Sequence, residues 1–271
     1  MTATEAKKIG VRQFVARKEQ GEPLVVVSAY DALFSRLADE GGVDAILVGD
    51  SLANVIAGLE STIPVTLDQM IYHGASARRG TSRAMLIVDM PFLTCQLGEE
   101  RAMINCGRVM QETGATAVKI EGGDDSMART IGAVVRLGIP VMGHIGFTPQ
   151  SVHALGGARV QGRDSATADR LIDDAKRLED AGAFSIVLEL VPSDLARRIT
   201  ESVKIPTIGI GAGAGCDGQV LVLFDLLGLT DRFSPKYLKR YATMANDVRD
   251  AVRRFREDVA ARAYPDADHS F

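Results

Sequence analysis

The sequence predicts an α/β fold, a single (β/α)8 barrel domain over residues 1–271 with an N-terminal helix and a C-terminal helical tail. Ala45–Val48 is a run of four apolar residues, which indicates a strand buried on both faces. Similar units recur, each with a glycine that ends a helical stretch, a short apolar run and a polar tip. They start at Gly42, Gly114, Gly138 and Gly182. No linker interrupts this alternation, which favours the barrel over the alternative, a doubly wound open sheet.

The elements follow from these patterns in chain order. An amphipathic helix over residues 5–20 is expected to plug the base of the barrel. Strands are expected at residues 24–27, 45–48, 84–88, 115–119, 139–143, 183–188, 206–210 and 220–224. Helices are expected around residues 33–38 and at 66–80, 98–113, 125–137, 166–181, 193–203 and 235–263. The helix over residues 66–80 begins with a capping box at Thr66, and Ser193 is expected to cap the helix over residues 193–203. The long, glycine-rich connection over residues 145–165 is a candidate lid over the strand ends.

Composition and charge exclude several classes of function. The chain has 31 basic and 35 acidic residues and a net charge of −4, so it offers no basic face for nucleic acid. No apolar run approaches the roughly 20 residues that a membrane span needs, and the first residues lack the apolar core of a secretion signal. We therefore expect a cytoplasmic protein. Three cysteines without ligand-like spacing, Cys95, Cys106 and Cys216, favour free thiols over disulfides or a zinc site.

Carboxylates follow three successive predicted strands. Asp50, Asp89 and Glu121 stand where the second, third and fourth strands end. In a parallel barrel these ends meet at one mouth, with neighbouring strands roughly 4.8 Å apart. Converging carboxylates repel one another unless a cation lies between them, and oxygen ligands without thiolate or imidazole suit Mg²⁺. The structural alternative is that each acidic residue caps the turn after its strand.

Three further polar residues are candidates for chemistry at the same mouth. Lys119 is two residues from Glu121 and shares its face of the strand, so it could bind a substrate carboxylate, form a Schiff base, or pair with Glu121. His144 ends the fifth strand and could donate to substrate, or it could be a satisfied core residue. Glu189 ends the sixth strand among apolar neighbours, an environment that favours a general base.

The remaining motifs carry weaker predictions. The glycine-rich residues 209–213 are compatible with phosphate binding, or only with a close backbone approach. The other histidines, His73, His153 and His269, have no ligand spacing to one another. The arginines of the tail helix, Arg249, Arg253 and Arg254, are expected to form a solvated face.

Motifs along almost the whole chain resemble those of one family. They occur in order at residues 28–31, 48–51, 64–66, 89–92, 118–123, 143–151, 160–163, 188–189, 209–213 and 269–271. On these motifs the chain is similar to the ketopantoate hydroxymethyltransferase family, enzymes of pantothenate and coenzyme A synthesis. The departures from the family pattern, at Ser28, at Cys95 and Gln96, and at residues 214–216, do not fall on a proposed catalytic group.

The resemblance implies a barrel of the phosphoenolpyruvate/pyruvate type and an aldol-type transfer. A hydroxymethyl unit would pass from the co-substrate 5,10-methylenetetrahydrofolate to C3 of 3-methyl-2-oxobutanoate, giving 2-dehydropantoate (ketopantoate) by Mg²⁺-stabilised enolate chemistry. By resemblance, Asp50 and Asp89 bind one Mg²⁺ per subunit, Glu121 supports it, and Glu189 is the proton acceptor. The keto acid would contact Asp50, Ser51, Asp89 and Lys119. The resemblance also implies a homodecamer.

Three other functions stay open on the sequence alone. One is a Mg²⁺-dependent 2-oxo acid lyase or mutase of the isocitrate lyase group, although the Lys-Lys-Cys-Gly-His-like string of that group does not occur here. Another is a class I aldolase that uses Lys119 as a Schiff base. The third is a non-catalytic barrel scaffold, which would have no reason to keep polar groups at five strand ends.

Overall fold

The computed structural model of the protein describes residues 8–271. Eight parallel strands close into a barrel in chain order, and the last pairs with the first. The strands are β1 Leu24–Ser28, β2 Ala45–Val48, β3 Met85–Asp89, β4 Ala117–Glu121, β5 Val141–Gly146, β6 Ser185–Glu189, β7 Thr207–Ile210 and β8 Gly218–Val222. The closed sheet confirms the predicted barrel and excludes the doubly wound alternative.

Within the described residues, one α-helix precedes the first strand, at least one α-helix joins each pair of successive strands from β1 to β7, and two α-helices follow β8. The helices are α1 Val11–Gln20, α2 Ala32–Glu40, α3 Leu52–Val55, α4 Leu67–Gly80, α5 Glu99–Thr113, α6 Asp125–Arg136, α7 Ser165–Asp180, α8 Ser193–Ser202, α9 Leu223–Leu226 and α10 Met244–Ala260. Helix α4 begins with the predicted capping box: the backbone N–H of Gln69 donates to the Thr66 hydroxyl, and the Thr66 N–H donates to the Gln69 side chain. The short helix α3 divides a segment that the sequence predicts to be loop.

Several predicted boundaries are wrong, each for a physical reason. Strands β4, β5 and β6 begin two residues later than predicted, because the buried apolar residues before them are not yet paired in the sheet. Strand β8 begins two residues earlier than predicted, because its register matches β1 from Leu24 onward. Helix α8 is preceded by Pro192, so Ser193 is its first residue and not its cap. The tail helix begins at Met244, because residues 230–243 form turns and irregular chain.

The described residues fall into two compact units, one that ends at Val222 and another over Leu223–Phe271. The first unit holds the barrel. Within the second, the Tyr241 N–H donates to the Leu226 carbonyl at 2.8 Å, and the rings of Phe255 and Tyr264 lie 5.4 Å apart. A single domain over residues 1–271 stays a prediction. Within residues 8–271 no helix combines the length and the apolarity needed to cross a membrane.

All three cysteines are free thiols. Cys95 and Cys106 are buried with their Sγ atoms 3.9 Å apart, and Cys216 is half-buried. Contact with Cys95, together with burial, raises the pKa of the Cys106 thiol far above its usual range. The Cys106 thiol is therefore protonated at neutral pH.

Helix α1 closes the base of the barrel, as the sequence predicts. Its Phe14 is fully buried in the cluster that includes the first residues of β1, β2 and β3, and it packs edge-on against Phe184 at 5.8 Å. Lys18 of the same helix pairs with Asp217, just before β8, at 2.9 Å. The helix begins at Val11, and residues 5–7 of the predicted helix lie outside the described residues.

We expect Phe14→Ala to lower the free energy of unfolding by about 3–5 kcal/mol, because it empties a fully buried aromatic site under the barrel. Urea unfolding followed by circular dichroism measures the loss. Arg12→Ala, on the exposed side of the same helix, is the matched control and should change stability by less than about 0.5 kcal/mol. Equal stability of the two variants would contradict the packing of α1 described here.

Asp39 at the end of α2 organises the start of β3. Its carboxylate accepts hydrogen bonds from the Ser82 hydroxyl and from the backbone N–H groups of Ser82, Arg83 and Ala84. Burial alone would raise the pKa of Asp39, but these donors outweigh it and lower the pKa below its usual value. The ionised carboxylate therefore stabilises the fold.

We expect Asp39→Asn to cost about 2 kcal/mol of stability at pH 7, because an amide cannot accept this set of donors. Since the folded-state pKa is lowered, the contribution of Asp39 is present above the unfolded pKa near 3.8 and is lost as pH falls through the folded value. The gap between wild type and Asp39→Asn should therefore narrow in acid. Unfolding midpoints from pH 7 to pH 3 test this, with exposed Asp169→Asn as the control. A gap that does not depend on pH would contradict it.

Candidate active site

The carboxyl ends of β2, β3 and β4 bring three acidic side chains together. Asp50, Asp89 and Glu121 are all buried, at 3%, 1% and 5% exposure. The Asp50 N–H lies 3.4 Å from Asp89 Oδ2, and Lys119 Nζ donates to the same oxygen at 2.5 Å. The strand ends thus form one acidic cluster with a single lysine in it. This is the convergence that the sequence predicts, and none of the three is the N-cap of the helix that follows its strand.

Lys119 pairs with Asp89 and not with Glu121, the partner considered from sequence. The parallel register of β3 and β4 sets Asp89 beside Lys119, which explains the choice. Burial alone would lower the pKa of Lys119, but the surrounding carboxylates, Asp89 foremost, raise it above its usual value. The amine is therefore protonated and unavailable as a nucleophile.

Of the three carboxyl groups, Asp50 is the one whose negative charge is compensated least. Burial, followed by repulsion from Asp89 and Glu121, raises the pKa of Asp50 to about 8. Burial also raises the pKa of Asp89, although Lys119 opposes that shift. Three ionised carboxylates would carry more negative charge than Lys119 balances, and the raised pKa of Asp50 reflects that excess.

The donor set of this cluster fits a hard divalent cation. Asp89 Oδ1 and Glu121 Oε1 are buried and have no hydrogen-bond partner. Unpaired carboxylate oxygens in a negative pocket are suitable ligands for Mg²⁺, which keeps water or substrate in its other positions. Among residues 8–271 no group of three His, Cys, Asp or Glu side chains is arranged, as the side chains stand, so that it could hold a metal ion.

His144 lies between two acidic residues on neighbouring strands. Its Nδ1 is 3.5 Å from Glu121 Oε1, and its Nε2 is 3.3 Å from Glu189 Oε2. Neither contact has the geometry of a full hydrogen bond, so the ring holds both carboxylates mainly through charge. Burial and Lys119 would each lower the pKa of His144, but the flanking carboxylates raise it to about 9. His144 thus links the acidic cluster to Glu189.

Glu189 ends β6 with its side chain 17% exposed, so it is the most accessible of these acids. The apolar neighbours that the sequence indicates are present along its strand, but its carboxylate lies against His144. The next residue, Leu190, has a φ of 48°, a left-handed conformation that is unfavourable for leucine. The Leu190 N–H and carbonyl are both bonded, to Ile210 and to Gln161, and these bonds hold the conformation and with it the direction of Glu189.

Ser51 and Tyr30 form a second polar contact at the mouth. The Tyr30 hydroxyl lies 2.8 Å from Ser51 Oγ, and the tyrosine is fully buried. His73 Nδ1 lies 2.8 Å from the Tyr30 carbonyl, so this histidine of α4 has a structural role. Tyr30 lies in the motif over residues 28–31, which by itself indicates no function for the tyrosine, and the structure shows that it orients Ser51.

Gln150 is the site residue that sequence reasoning does not single out. It lies in the short 3₁₀ turn Pro149–Ser151 after β5 and is 4% exposed. Its side chain donates to Asp50 Oδ2 at 3.0 Å, and its backbone N–H donates to Glu121 Oε2 at 3.1 Å. The available sequence signal is the position of this residue in the motif over residues 143–151, within the long connection 145–165.

The weaker candidates lie outside this cluster. A Cβ at Gly213 would clash with Ser193, and one at Gly209 would lie 3.0 Å from Cys216 Sγ, so the close backbone approach explains these glycines. His153 is exposed, and His269 pairs with Asp266 at 2.5 Å. The structure brings none of these residues into contact with the acidic cluster.

A closed parallel barrel with acidic residues at its carboxyl ends defines the class of protein as a (β/α)8 barrel, a fold that members of the phosphoenolpyruvate mutase/isocitrate lyase superfamily also adopt. A 2,3-dimethylmalate lyase of that superfamily covers 92% of this chain and 88% of its own, with a TM-score of 0.63 and 17% identity. A phosphonopyruvate hydrolase, solved in complex with oxalate and Mg²⁺, covers 96% and 92% with a TM-score of 0.62 and 13% identity. Similarity at this level of identity shows the fold alone.

Sequence comparison identifies the family within that class. The family model of ketopantoate hydroxymethyltransferase matches residues 8–267, and the chain belongs to this family. The 3-methyl-2-oxobutanoate hydroxymethyltransferase of Trichlorobacter lovleyi is 52% identical over 98% of this chain and 99% of its own length. The enzyme of the same name from Syntrophus aciditrophicus is 49% identical over 100% and 99%. The expected family is therefore confirmed.

Proposed function

We propose that this protein transfers a hydroxymethyl unit from 5,10-methylenetetrahydrofolate to 3-methyl-2-oxobutanoate, giving 2-dehydropantoate in pantothenate synthesis. The observation that best supports the proposal is the buried cluster at the ends of β2, β3 and β4, with Glu189 two strands beyond it. The names of relatives that are about half identical over the full chain support the same reaction.

A divalent cation, Mg²⁺ in our proposal and one per subunit, would be held by Asp50 and Asp89, with Glu121 in support. The unpartnered oxygens of Asp89 and Glu121 support this assignment, as does the Mg²⁺ in the phosphonopyruvate hydrolase of the same fold. When bound, the cation would stabilise negative charge that develops on the oxygens of the 2-oxo acid.

The chain's own residues would bind and orient the keto acid. Lys119, protonated beside Asp89, offers a charge for the substrate carboxylate, and Ser51, held by Tyr30, offers a hydroxyl. His144 donates toward the substrate or steadies the acids on either side of it. Because these groups surround the same mouth, the C3 proton of the keto acid would face Glu189.

Glu189 is the proposed base. Its carboxylate would take the C3 proton. Water would release the folate methylene group as a one-carbon unit at the oxidation level of formaldehyde, with both of its C–N bonds broken, and the carbon nucleophile would add to that carbon while its oxygen takes up a proton. Water supplies the hydroxyl oxygen, and tetrahydrofolate leaves, so one keto acid, one methylenetetrahydrofolate and one water give one 2-dehydropantoate and one tetrahydrofolate. The contact between Glu189 and His144, together with the bonded Leu190, supports a fixed orientation for this step.

A Schiff base on Lys119 is the second candidate mechanism, and the site disfavours it. The Lys119 amine is buried, bonded to Asp89 and has a raised pKa, whereas a Schiff-base lysine needs an unprotonated amine. Borohydride treatment with the keto acid, followed by mass spectrometry, separates the two mechanisms. Our proposal expects no lysine adduct.

Assembly and location remain proposals. Helix α10 exposes Val248, Val252 and Phe255 at 50–62%, an apolar row that supports self-association, and we propose the homodecamer implied by the family. We also propose a cytoplasmic location and no membrane or nucleic-acid partner. Light scattering of the purified protein measures the number of subunits.

Product formation tests the proposed function directly. The purified protein, stripped of metal, is given 3-methyl-2-oxobutanoate and methylenetetrahydrofolate with and without Mg²⁺, and 2-dehydropantoate is measured by mass spectrometry. We expect product only when keto acid, folate and metal are all present. Turnover that is unchanged without folate or without metal would contradict the corresponding part of the proposal.

A further inference from the structure

Gln150 contacts the ends of three successive strands at once. Its Nε2 donates to Asp50 Oδ2, after β2, at 3.0 Å and to the Met90 carbonyl, after β3, at 2.9 Å. Its backbone N–H donates to Glu121 Oε2, at the end of β4, at 3.1 Å. Both amide hydrogens of the side chain are therefore used, and the residue is 4% exposed.

Gln150 is a neutral donor, so its contacts with the carboxylates of Asp50 and Glu121 do not cancel their negative charge. An amide donor orients Asp50 without a counter-charge, whereas a lysine or arginine at this position would compete with a cation. Glu121 accepts from Gln150 through Oε2, while its Oε1 has no hydrogen-bond partner. The contacts thus fix two of the acidic side chains without using Glu121 Oε1, which lies 3.5 Å from His144 Nδ1.

Gln150 also links the connection over residues 145–165 to the site. It lies near the start of the connection over residues 145–165, and its Oε1 is 3.4 Å from the side-chain nitrogen of Gln96 in the loop after β3. This connection also reaches the Glu189 region, because the Gln161 N–H donates to the Leu190 carbonyl. Gln150 therefore ties the candidate lid to the acidic cluster.

We propose that Gln150 is a positioning residue that holds Asp50 and Glu121 in place for the divalent cation and anchors the connection 145–165 over the site. The inference rests on the proposed function, since it requires a cation at the cluster. In this proposal a neutral side chain in the connection after β5 orients two metal ligands, one at the end of β2 and one at the end of β4. Loss of such a supporting hydrogen bond typically weakens metal binding by about 10- to 100-fold.

The test uses Gln150→Met, which keeps the length and volume of the side chain but removes its donors. Binding of Mn²⁺ alone to the full-length, metal-free protein is measured by electron paramagnetic resonance, without substrates. We expect the Kd for Mn²⁺ to rise about 10- to 100-fold relative to wild type. The control is Gln111→Met, on the exposed side of α5, which should leave the Kd unchanged.

A second readout separates positioning from simple stabilisation of the fold. At a saturating metal concentration, the kcat of Gln150→Met should return toward the wild-type value. At a low metal concentration its kcat/KM should stay reduced, because the variant holds the ion less well. Gln150→Asn, one methylene shorter, serves if the methionine variant does not fold, and it should show the same direction of change.

The outcomes are distinct. A folded variant with a lower melting temperature but the Mn²⁺ affinity of wild type would overturn the inference and leave Gln150 a structural residue. A wild-type protein that binds no Mn²⁺ would overturn the cation site of the proposed function, and the inference with it. Weaker binding in the Gln150 variant, against an unchanged Gln111 control, supports the inference.

Discussion

Asp89→Asn is expected to lower kcat/KM on the order of 10³-fold, about 4 kcal/mol of transition-state stabilisation. Asp89 lies at the centre of the acidic cluster, where Oδ2 is bonded to Lys119 and Oδ1 is buried without a partner. The amide removes the charge that both the lysine and the proposed cation require. Steady-state kinetics and Mn²⁺ binding should fall together. Asp68→Asn, an exposed aspartate on α4, is the control.

The same substitution should also reduce stability. The Lys119 and Asp89 side chains are 5% and 1% exposed, and removal of one partner leaves a buried charge uncompensated at a cost of about 3–5 kcal/mol. The double variant Asp89→Asn/Lys119→Met should regain part of that stability but none of the activity. Wild-type activity in a folded Asp89→Asn variant would remove Asp89 from the proposed ligand set.

Glu189→Gln is expected to bind the keto acid and fail to remove its C3 proton. The side chain is nearly isosteric but is no longer a base, so a loss of about 10²- to 10⁴-fold in kcat is expected with little change in keto-acid affinity. Calorimetric titration measures binding, and solvent exchange at C3 measures proton removal. Glu201→Gln, exposed on α8, is the control.

The opposite result would reassign the base. If Glu189→Gln exchanges the C3 proton at the wild-type rate, another group must take it, and His144, in contact with Glu189 at 3.3 Å, becomes the first candidate. Loss of keto-acid binding with normal exchange per bound substrate would instead make Glu189 a binding residue.

The parts of the site that lie at strand ends could be predicted from sequence. A buried run that ends in a polar residue indicates where the chain reaches the barrel mouth, and this pattern predicts the positions of Asp50, Asp89, Glu121, His144 and Glu189. Once the order of the strands in a parallel barrel is known, the strand ends that lie next to one another at the mouth are also known. The family resemblance then added roles that no local pattern contains.

The contacts between distant segments could not be predicted in this way. Gln150 and Asp50 are 100 residues apart and Asp39 lies 43 residues before Ser82, and neither pair follows from a local period. The choice of Asp89 as partner for Lys119 depends on the register of two strands, which sequence leaves open. The short contact of Glu189 with His144 arises in the same way, from neighbouring strands and not from the apolar residues next to Glu189 in sequence.

Proton exchange at C3 of 3-methyl-2-oxobutanoate is the measurement that tests the central claim most directly. The wild-type protein is incubated with the keto acid in D₂O, with and without Mg²⁺ and in the absence of folate, and the C3 proton is followed by proton NMR. We expect metal-dependent loss of the C3 signal, and formation of 2-dehydropantoate once methylenetetrahydrofolate is added. A folded protein that binds Mg²⁺ but gives neither exchange nor product would contradict the proposed reaction and favour a lyase or mutase of the same barrel type.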